Sequence, residues 1–334
     1  MAQVLEARGQ SFALTDHACN RDTVRQILRQ APDDLPLRIL YCSGLDVTSA
    51  EPAEAETLMR DTLDACLGLV HLVQQVSEIP ASQDARVWVV TRGAHPIGWP
   101  EGSSKNPSAG QLACSGLWGL GRTIATEHPS SFGGLIDLAP EVDDDEAEDL
   151  ILMVRLGRNQ LILRGGEMLA PTIQPYVRDA ARQYQTPAVR ADATYLVTGG
   201  LGALGLLVAR WLVDSGARHI VLVSRRGETS ASETELVQLR AGGARIWAPR
   251  ADAANLGQLD SVLGNIREWP PLRGVFHLAG VVDDRVVARL DGESIERALQ
   301  PKVAGAWNLH LLTRDLALDH FVVFSSLAKT SRKK

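Results

Sequence analysis

Five mostly apolar residues, TYLVT at 194–198, run directly into GGLGALG at 199–205, and an apolar, helix-forming stretch follows. A strand that ends in a glycine turn and opens a helix leaves few folds available, because it is the first βα step of a parallel sheet. The residues downstream keep the alternation. The pattern predicts a helix over 206–215, closed by Gly216 as a C-terminal cap. It then predicts a strand over 219–223 (HIVLV), a helix over 232–240 and a strand over 244–248. A helix over 255–268 is stopped by Pro270 and Pro271. A strand over 274–279, a helix over 294–312 interrupted near Pro301, and a strand over 320–325 (HFVVFS) complete the series. Such alternation predicts right-handed βαβ units on a parallel sheet.

The first half repeats this rhythm more loosely. Strands are expected over 12–14, 37–42, 87–91 and 134–138, and helices over 53–76 and 109–127. The acidic run at 141–149 (EVDDDEAED) reads as the solvated start of a helix, where the dipole favours carboxylates. LEARGQSFALT at 5–15 parallels LVDSGARHIVLV at 212–223 in kind: helix end, glycine, polar step, apolar strand. The echo predicts two related α/β units. The first would lack the opening strand and glycine turn, so that Met1 falls inside a helix and the N-terminus is clipped. The polar stretch 176–192, which contains Pro187, reads as a linker. The expected fold is therefore α/β, with two Rossmann-like subdomains on parallel sheets. Residues 1–180 form a structural subdomain and residues 181–334 a dinucleotide-binding one.

Composition removes several function classes. The chain is 45% hydrophobic and 22% charged, enough for a substantial core and unlike a disordered polymer. A net charge of -6 argues against a cationic footprint for nucleic acid or an acidic membrane surface. No apolar run approaches the ~20 residues of a membrane helix, and MAQVLEARGQ lacks the apolar core of a signal peptide. Cys19, Cys42, Cys66 and Cys114 are scattered without C-x-x-C spacing, which suits reduced, packed thiols in a cytoplasmic protein. The eight histidines show no H-x-x-x-H or H-E-x-x-H spacing, so no metal site is expected. A Ser–His–Asp hydrolase has no G-x-S-x-G elbow here.

Gly200-Leu201-Gly202-Ala203-Leu204-Gly205 is G-x-G-x-x-G between a strand and a helix, the context that gives the motif meaning. Glycines let the backbone turn sharply and approach a pyrophosphate, and the helix N-terminus supplies N–H donors and a favourable dipole. The candidate cradle is Thr198, Gly199, Gly200, Leu201, Gly202, Leu204 and Gly205. The plain alternative is a structural βα turn. The next strand ends in Ser224-Arg225-Arg226 rather than in the acid an NAD site places there. Arginine suits the 2′-phosphate of NADP, because its fork pairs with phosphate oxygens. Asp252 is placed to hold the adenine amine, and Ala279-Gly280 to pass beside the nicotinamide ribose. Both positions serve equally as ordinary loop residues.

Several segments together resemble one family: TGGLGALG at 198–205, LVSRRG at 222–227, VFHLAGVVDD at 275–284, KVAGAWNLH at 302–310 and FVVFSS at 321–326. They are similar to the ketoreductase domain of modular polyketide synthases, a branch of the short-chain dehydrogenase/reductase superfamily. In the first half, VWVVTRGAHPI at 87–97, LWGLGRTIATEHPSSFGGLIDL at 117–138 and LILRGGEMLAP at 161–171 resemble that family's structural subdomain. The resemblance covers nearly the whole chain to about residue 328. It implies NADPH-dependent reduction of a β-ketoacyl chain, carried on an acyl carrier protein, to the β-hydroxyacyl thioester. It also implies neighbouring synthase domains, and an N-terminal subdomain that braces the catalytic one and binds no cofactor.

The implied catalytic set is partial. Lys302 matches the family lysine, which binds the nicotinamide ribose and lowers the pKa of a tyrosine. Ser326 matches the serine that hydrogen-bonds the substrate carbonyl, with Ser325 as the neighbouring alternative. The family's proton donor is a tyrosine shortly after that serine, followed by an asparagine. Tyr41, Tyr176, Tyr184 and Tyr195 all lie upstream, and Ala298 occupies the place four residues before the lysine. AKTSRKK at 328–334 departs from the family's Gly/Ala-rich loop, and its basic end reads as frayed and non-native. The reading is of a fragment, cut short or frame-shifted at its C-terminal end, with little or no reductase activity alone. An uncovered sheet edge would favour self-association. Val282-Asp283-Asp284 resembles the Leu-Asp-Asp motif of B-type reductases, which favour the D-configured alcohol. Two other readings compete: a non-catalytic scaffold, and a stand-alone NADP-dependent dehydrogenase or epimerase. The family-like first half argues against the latter.

Overall fold

The computed structural model describes residues 2–7, 12, 21–30, 32, 35–45, 54–80, 83–95, 97, 108–142, 144–175 and 188–325. They divide into two units. One takes residues up to 174 together with 284–295; the other takes 175–283 and 296–325.

The first unit opens with helices α1 (Ala2–Ala7) and α2 (Arg21–Gln30). Strand β1 (Leu37–Tyr41), helix α3 (Ala55–Val76), strand β2 (Ala85–Arg92), helix α4 (Ala109–Glu127), strand β3 (Phe132–Leu138), helix α5 (Glu146–Leu156) and strand β4 (Gln160–Arg164) then alternate, and β5 (Glu167–Leu169) turns back. The strands lie in the order β1-β2-β3-β4-β5. The first four are parallel, as expected, and β5 runs antiparallel to β4. Every residue of β3 is buried, as befits a parallel strand covered on both faces. Gly133 makes room for the Trp88 ring on the neighbouring strand. Helix α4 begins with a capping box: Gln111 N–H donates to Ser108 Oγ, and Ser108 N–H donates to Gln111 Oε1. The acidic run does start a helix, with Glu146, Glu148 and Asp149 in the first turn of α5. Segment 284–295 is held here by Gln74 Nε2, which donates to the carbonyls of Val287 and Leu290 at 3.0 Å each. Val287 N–H donates to Glu127 Oε2 at 2.6 Å.

A buried polar network sits at the carboxyl ends of β2 and β3. Asp137 Oδ1 accepts from Thr91 Oγ1 (2.7 Å) and Ala94 N–H (2.9 Å), and its Oδ2 accepts from His95 N–H (3.2 Å) and Arg164 Nη2. Arg164 goes on to the carbonyls of His95 (2.7 Å) and Leu138 (2.9 Å). Trp118 Nε1 donates to Thr91 Oγ1 (2.9 Å), and its ring meets His95 edge-on.

The second unit is the regular one. Strand β6 (Thr194–Thr198), helix α6 (Ala203–Asp214), strand β7 (His219–Val223), helix α7 (Ser230–Ala241), strand β8 (Arg245–Trp247), helix α8 (Leu256–Asn265), strand β9 (Leu272–His277), helix α9 (Gly292–Thr313, of which 292–295 fall in the first unit) and strand β10 (His320–Val323) follow in turn. All pairings are parallel, in the order β10-β9-β6-β7-β8. One face carries α6 and α7 over Tyr195, Val197, Leu222 and Phe276; the other buries Leu196, Val221, Val275 and Leu309. Gly216 ends α6 with φ of 109°, letting Ala217 N–H reach back to the Leu212 carbonyl.

Two expectations need correction. Helix α9 runs unbroken through Pro301 rather than being interrupted there; core packing of the helix beyond it, with Leu309 buried, outweighs the single backbone bond the proline removes. Helix α8 ends at Asn265, short of 268: Ile266, Arg267 and Trp269 N–H turn to three-residue contacts before the prolines arrive. The expected strand at 12–14, most of the 176–192 linker and the 328–334 tail lie outside the described residues.

Candidate functional site

The order β10-β9-β6-β7-β8 reverses chain direction between β9 and β6. Ligands of open α/β sheets bind outside the carboxyl ends of the strands at such a switch point. The glycine turn leaves β6 there. Gly199 has φ of 66°, and a Cβ on it would lie 2.8 Å from the Leu278 carbonyl. A Cβ on Gly200 would lie 2.7 Å from Val197 O and 2.8 Å from Leu222 Cα, and one on Gly205 would strike the Gly199 carbonyl oxygen. These three glycines are required by the chain's own packing. Gly202 is different: its nearest neighbour would be Gly199 O at 3.2 Å, and its outer side is open.

Gly202 is also the N-cap of α6 and has no capping side chain. The first helical bond runs from Leu206 N–H to Gly202 O, so the amides of Ala203, Leu204 and Gly205 have no acceptor among the described residues. Leu204 is exposed and Leu201 packs against the core. A row of unused N–H donors at a helix N-terminus, beside a position with no side chain, fits a pyrophosphate.

Gly200 N–H donates to the Val223 carbonyl at 3.1 Å and so ties the turn to the end of β7. Ser224 Oγ accepts from Gly227 N–H at 3.0 Å, folding a tight turn that leaves Arg225 and Arg226 exposed. Neither pairs with an acid among the described residues, whereas Arg210 and Arg240 on the adjoining helices pair with Glu235 and Glu228. Two unpaired guanidinium groups at this place fit a 2′-phosphate. Asp252 follows β8 and spends Oδ1 on Ala254 N–H (2.9 Å), an Asx turn that shapes its own loop. Ala279 is half-buried, and Gly280 has open space around the position of a side chain.

Lys302 is exposed on α9, one residue after Pro301. Ser325 is exposed just past β10, and Ser326 lies outside the described residues. Val282 is 84% exposed, Asp284 is exposed, and Asp283 is gripped at Oδ2 by Arg297 Nε (3.1 Å) and Nη2 (2.7 Å). The Tyr195 hydroxyl accepts from Arg190 N–H and that of Tyr41 donates to the Ala65 carbonyl, each at 2.7 Å. Tyr176 and Tyr184 lie outside the described residues.

The structure thus gathers Thr198, the glycine turn, Ser224, Asp252 and Ala279 at the ends of four adjacent strands. Sequence reasoning missed His277 at the end of β9. It is buried, and its ring joins Thr198 Oγ1 (2.6 Å) to the Pro301 carbonyl (2.9 Å). A histidine inside the apolar strand VFHLAG was the available signal. Burial holds its imidazole below the ordinary value, against the opposing pull of the Pro301 carbonyl.

A Rossmann-like α/β architecture with an open glycine turn at its switch point is the class these features define. Residues 193–334 match the KR domain family, and residues 5–173 match the family described as polyketide synthase extender module SpnB, Rossmann fold domain. The chain is 33% identical over 308 residues to a phenolphthiocerol/phthiocerol polyketide synthase from Mycobacterium tuberculosis, across 87% of this chain and 16% of that protein. It is 37% identical over 265 residues to polyketide synthase GfsA of Streptomyces halstedii, across 76% of this chain and 3% of that protein. The chain thus spans only a small part of the length of these relatives. A solved A1-type ketoreductase superposes with a TM-score of 0.80 at 32% identity, over 98% of this chain and 67% of that one. A C2-type ketoreductase from a modular polyketide synthase gives 0.78 at 25% identity, over 98% of this chain and 68% of that one. The chain belongs to the ketoreductase domains of modular polyketide synthases, with their N-terminal structural Rossmann subdomain. Among the described residues, no helix is long and apolar enough to cross a membrane.

Proposed function

We propose that this chain is the NADPH-binding reductase portion of a cytoplasmic polyketide synthase module, serving a β-ketoacyl thioester on an acyl carrier protein. The observation that carries it is the open N-cap at Gly202 beside the unpaired Arg225 and Arg226. When bound, NADPH supplies hydride to the β-carbonyl carbon and the product is a β-hydroxyacyl thioester. The amides of Ala203, Leu204 and Gly205 hold the pyrophosphate, and Arg225 and Arg226 hold the 2′-phosphate. Asp252 and Ala279-Gly280 flank the adenine and the nicotinamide ribose. Lys302 binds that ribose, and Ser326, with Ser325 beside it, hydrogen-bonds the substrate carbonyl. Val282-Asp283-Asp284 supports a B-type, D-configured product. Neighbouring synthase domains deliver the carrier protein.

An alkoxide formed at the carbonyl needs a positioned acid. Among the described residues, Tyr41 and Tyr195 are committed to backbone bonds, so neither supplies that acid. The 334-residue polypeptide is expected to bind NADPH. The deciding measurement is a fluorescence titration with NADPH and with NADH. NADPH should bind more tightly, and the double substitution Arg225→Ala, Arg226→Ala should remove about 10- to 100-fold of its affinity while sparing NADH. Equal affinities overturn the 2′-phosphate assignment, and absence of binding favours a non-catalytic scaffold.

A further inference from the structure

Lys302 is exposed, pairs with no acid among the described residues, and directly follows a proline inside a helix. Proline has no N–H, so the helix loses a backbone bond at the turn that must aim the lysine. Its placement therefore depends on what holds α9 from outside. Around that turn, three contacts stand out beside the burial of Leu309 in the core. His277 bonds the Pro301 carbonyl at 2.9 Å. Gly305, one turn on, lies so close to the same imidazole that a Cβ there would sit 3.1 Å from Cε1. Asn308 Nδ2, a turn further, donates to the Ala253 carbonyl at 3.1 Å. Two of these three contacts belong to His277.

The other end of the ring reaches the glycine turn. Nδ1 lies 2.6 Å from Thr198 Oγ1, on the residue just before Gly199. A carbonyl only accepts, so Nε2 carries the proton toward Pro301, and Nδ1 accepts the Thr198 hydroxyl. Both ring nitrogens are thereby used, and Leu278 N–H, next along the chain, donates to the Thr198 carbonyl at 3.0 Å.

We infer that His277 is a positioning residue, a strut that fixes Lys302 relative to the glycine turn through the Pro301 carbonyl. This rests on the cofactor reading above. The strut sets the distance between the two ends of one extended ligand: the pyrophosphate cradle on β6 and the lysine on α9. Removing it should leave the adenine half bound normally and weaken the nicotinamide half.

The experiment uses the 334-residue chain and two ligands, NADPH and adenosine 2′,5′-bisphosphate, which lacks the nicotinamide half. His277→Gln is expected to weaken NADPH about five- to tenfold and to leave the bisphosphate unchanged. In a Lys302→Ala background the same substitution should cost nothing further, because its route is gone. Equal losses for both ligands, or additive losses in the double variant, would reduce His277 to a fold-holding residue. Should His277→Gln fail to fold, Gly305→Ala, whose Cβ would press on the same imidazole 3.1 Å from Cε1, must show the same selective loss for the inference to stand. If the unsubstituted chain binds neither ligand, the cofactor reading falls and takes this inference with it. If it binds both and His277→Gln changes nothing, the inference alone falls.

Discussion

The two sheets of this molecule share a βαβ construction and differ in what occupies the carboxyl ends of their strands. In the first unit the described strands follow chain order, so no reversal opens a crevice among them. The place where a ligand would approach is filled by the Asp137 carboxylate, whose two oxygens accept four hydrogen bonds from Thr91, Ala94, His95 and Arg164. Arg164 is likewise spent on Asp137 and on backbone carbonyls. In the second unit the order reverses, and the first-turn amides of α6 and two arginines are left over. The lesson is one of donor accounting: a parallel sheet end either satisfies its polar groups internally and becomes a brace, or leaves them unsatisfied and becomes a site.

The largest test of that contrast removes the internal partner. Asp137→Ala leaves Arg164 buried without its counter-charge and is expected to cost about 3–5 kcal/mol in urea unfolding. NADPH affinity of the folded fraction should not change; a loss of both would show that the first unit does more than brace. Next, Gly202→Ala should fold and lose about tenfold in NADPH affinity, since its Cβ meets only the Gly199 carbonyl oxygen, at 3.2 Å, and otherwise enters the open side. Gly205→Ala should be poorly folded, because its Cβ strikes backbone. Equal behaviour of the two alanines would erase the distinction between packing glycines and a ligand-facing one.

A smaller effect concerns pH. Burial holds the imidazoles of His95 and His277 below their ordinary value, so between their folded values and about 6.5 the unfolded chain binds more protons. Stability therefore falls as pH drops through about 6.5 and is level above it; thermal melts across that range should show the decline, and His277→Gln should reduce it. The smallest expected effect is none. Burial pushes the thiols of Cys66 and Cys114 up to about 12, and Cys114 Sγ donates to the Gly44 carbonyl at 2.9 Å. Neither should react with an aromatic disulfide reagent at about pH 8 until the first unit is unfolded.

The second unit was legible because each of its steps carries local punctuation: an apolar strand, then Gly, Pro or Ser, then a helix. β6, β7 and the turn between β6 and α6 fell where strand patterning and the glycines put them, and β9 runs over 272–277, two residues before the expected 274–279. The first unit hid more. The hairpin β4–β5 carries its signal in Gly165-Gly166, both at positive φ, flanked by apolar residues, and was read only as a family-like segment. Asp137 and Arg164 each look like the one charge at the end of an apolar strand, and only sheet register shows them to be partners. The His277 bridge joins residues 79 and 24 positions apart, so no local window contains it. Helix α9 misled for the opposite reason: Pro301 is a local stop signal that tertiary packing of the helix overrules.

The strip at 284–295 has a consequence for anyone who recombines such synthases. Gln74 and Glu127 lie early in the chain, yet their partners are Val287 and Leu290. The first unit is thus encoded in two separated stretches of gene. A crossover that exchanges residues 1–174 and nothing else brings in a new Gln74 and Glu127 while retaining the old residues 284–295. The two stretches should be inherited as a pair, and hybrid boundaries drawn at 174, near 283 and just before α9 at 291 follow the grain of the molecule, where a single cut in the linker does not.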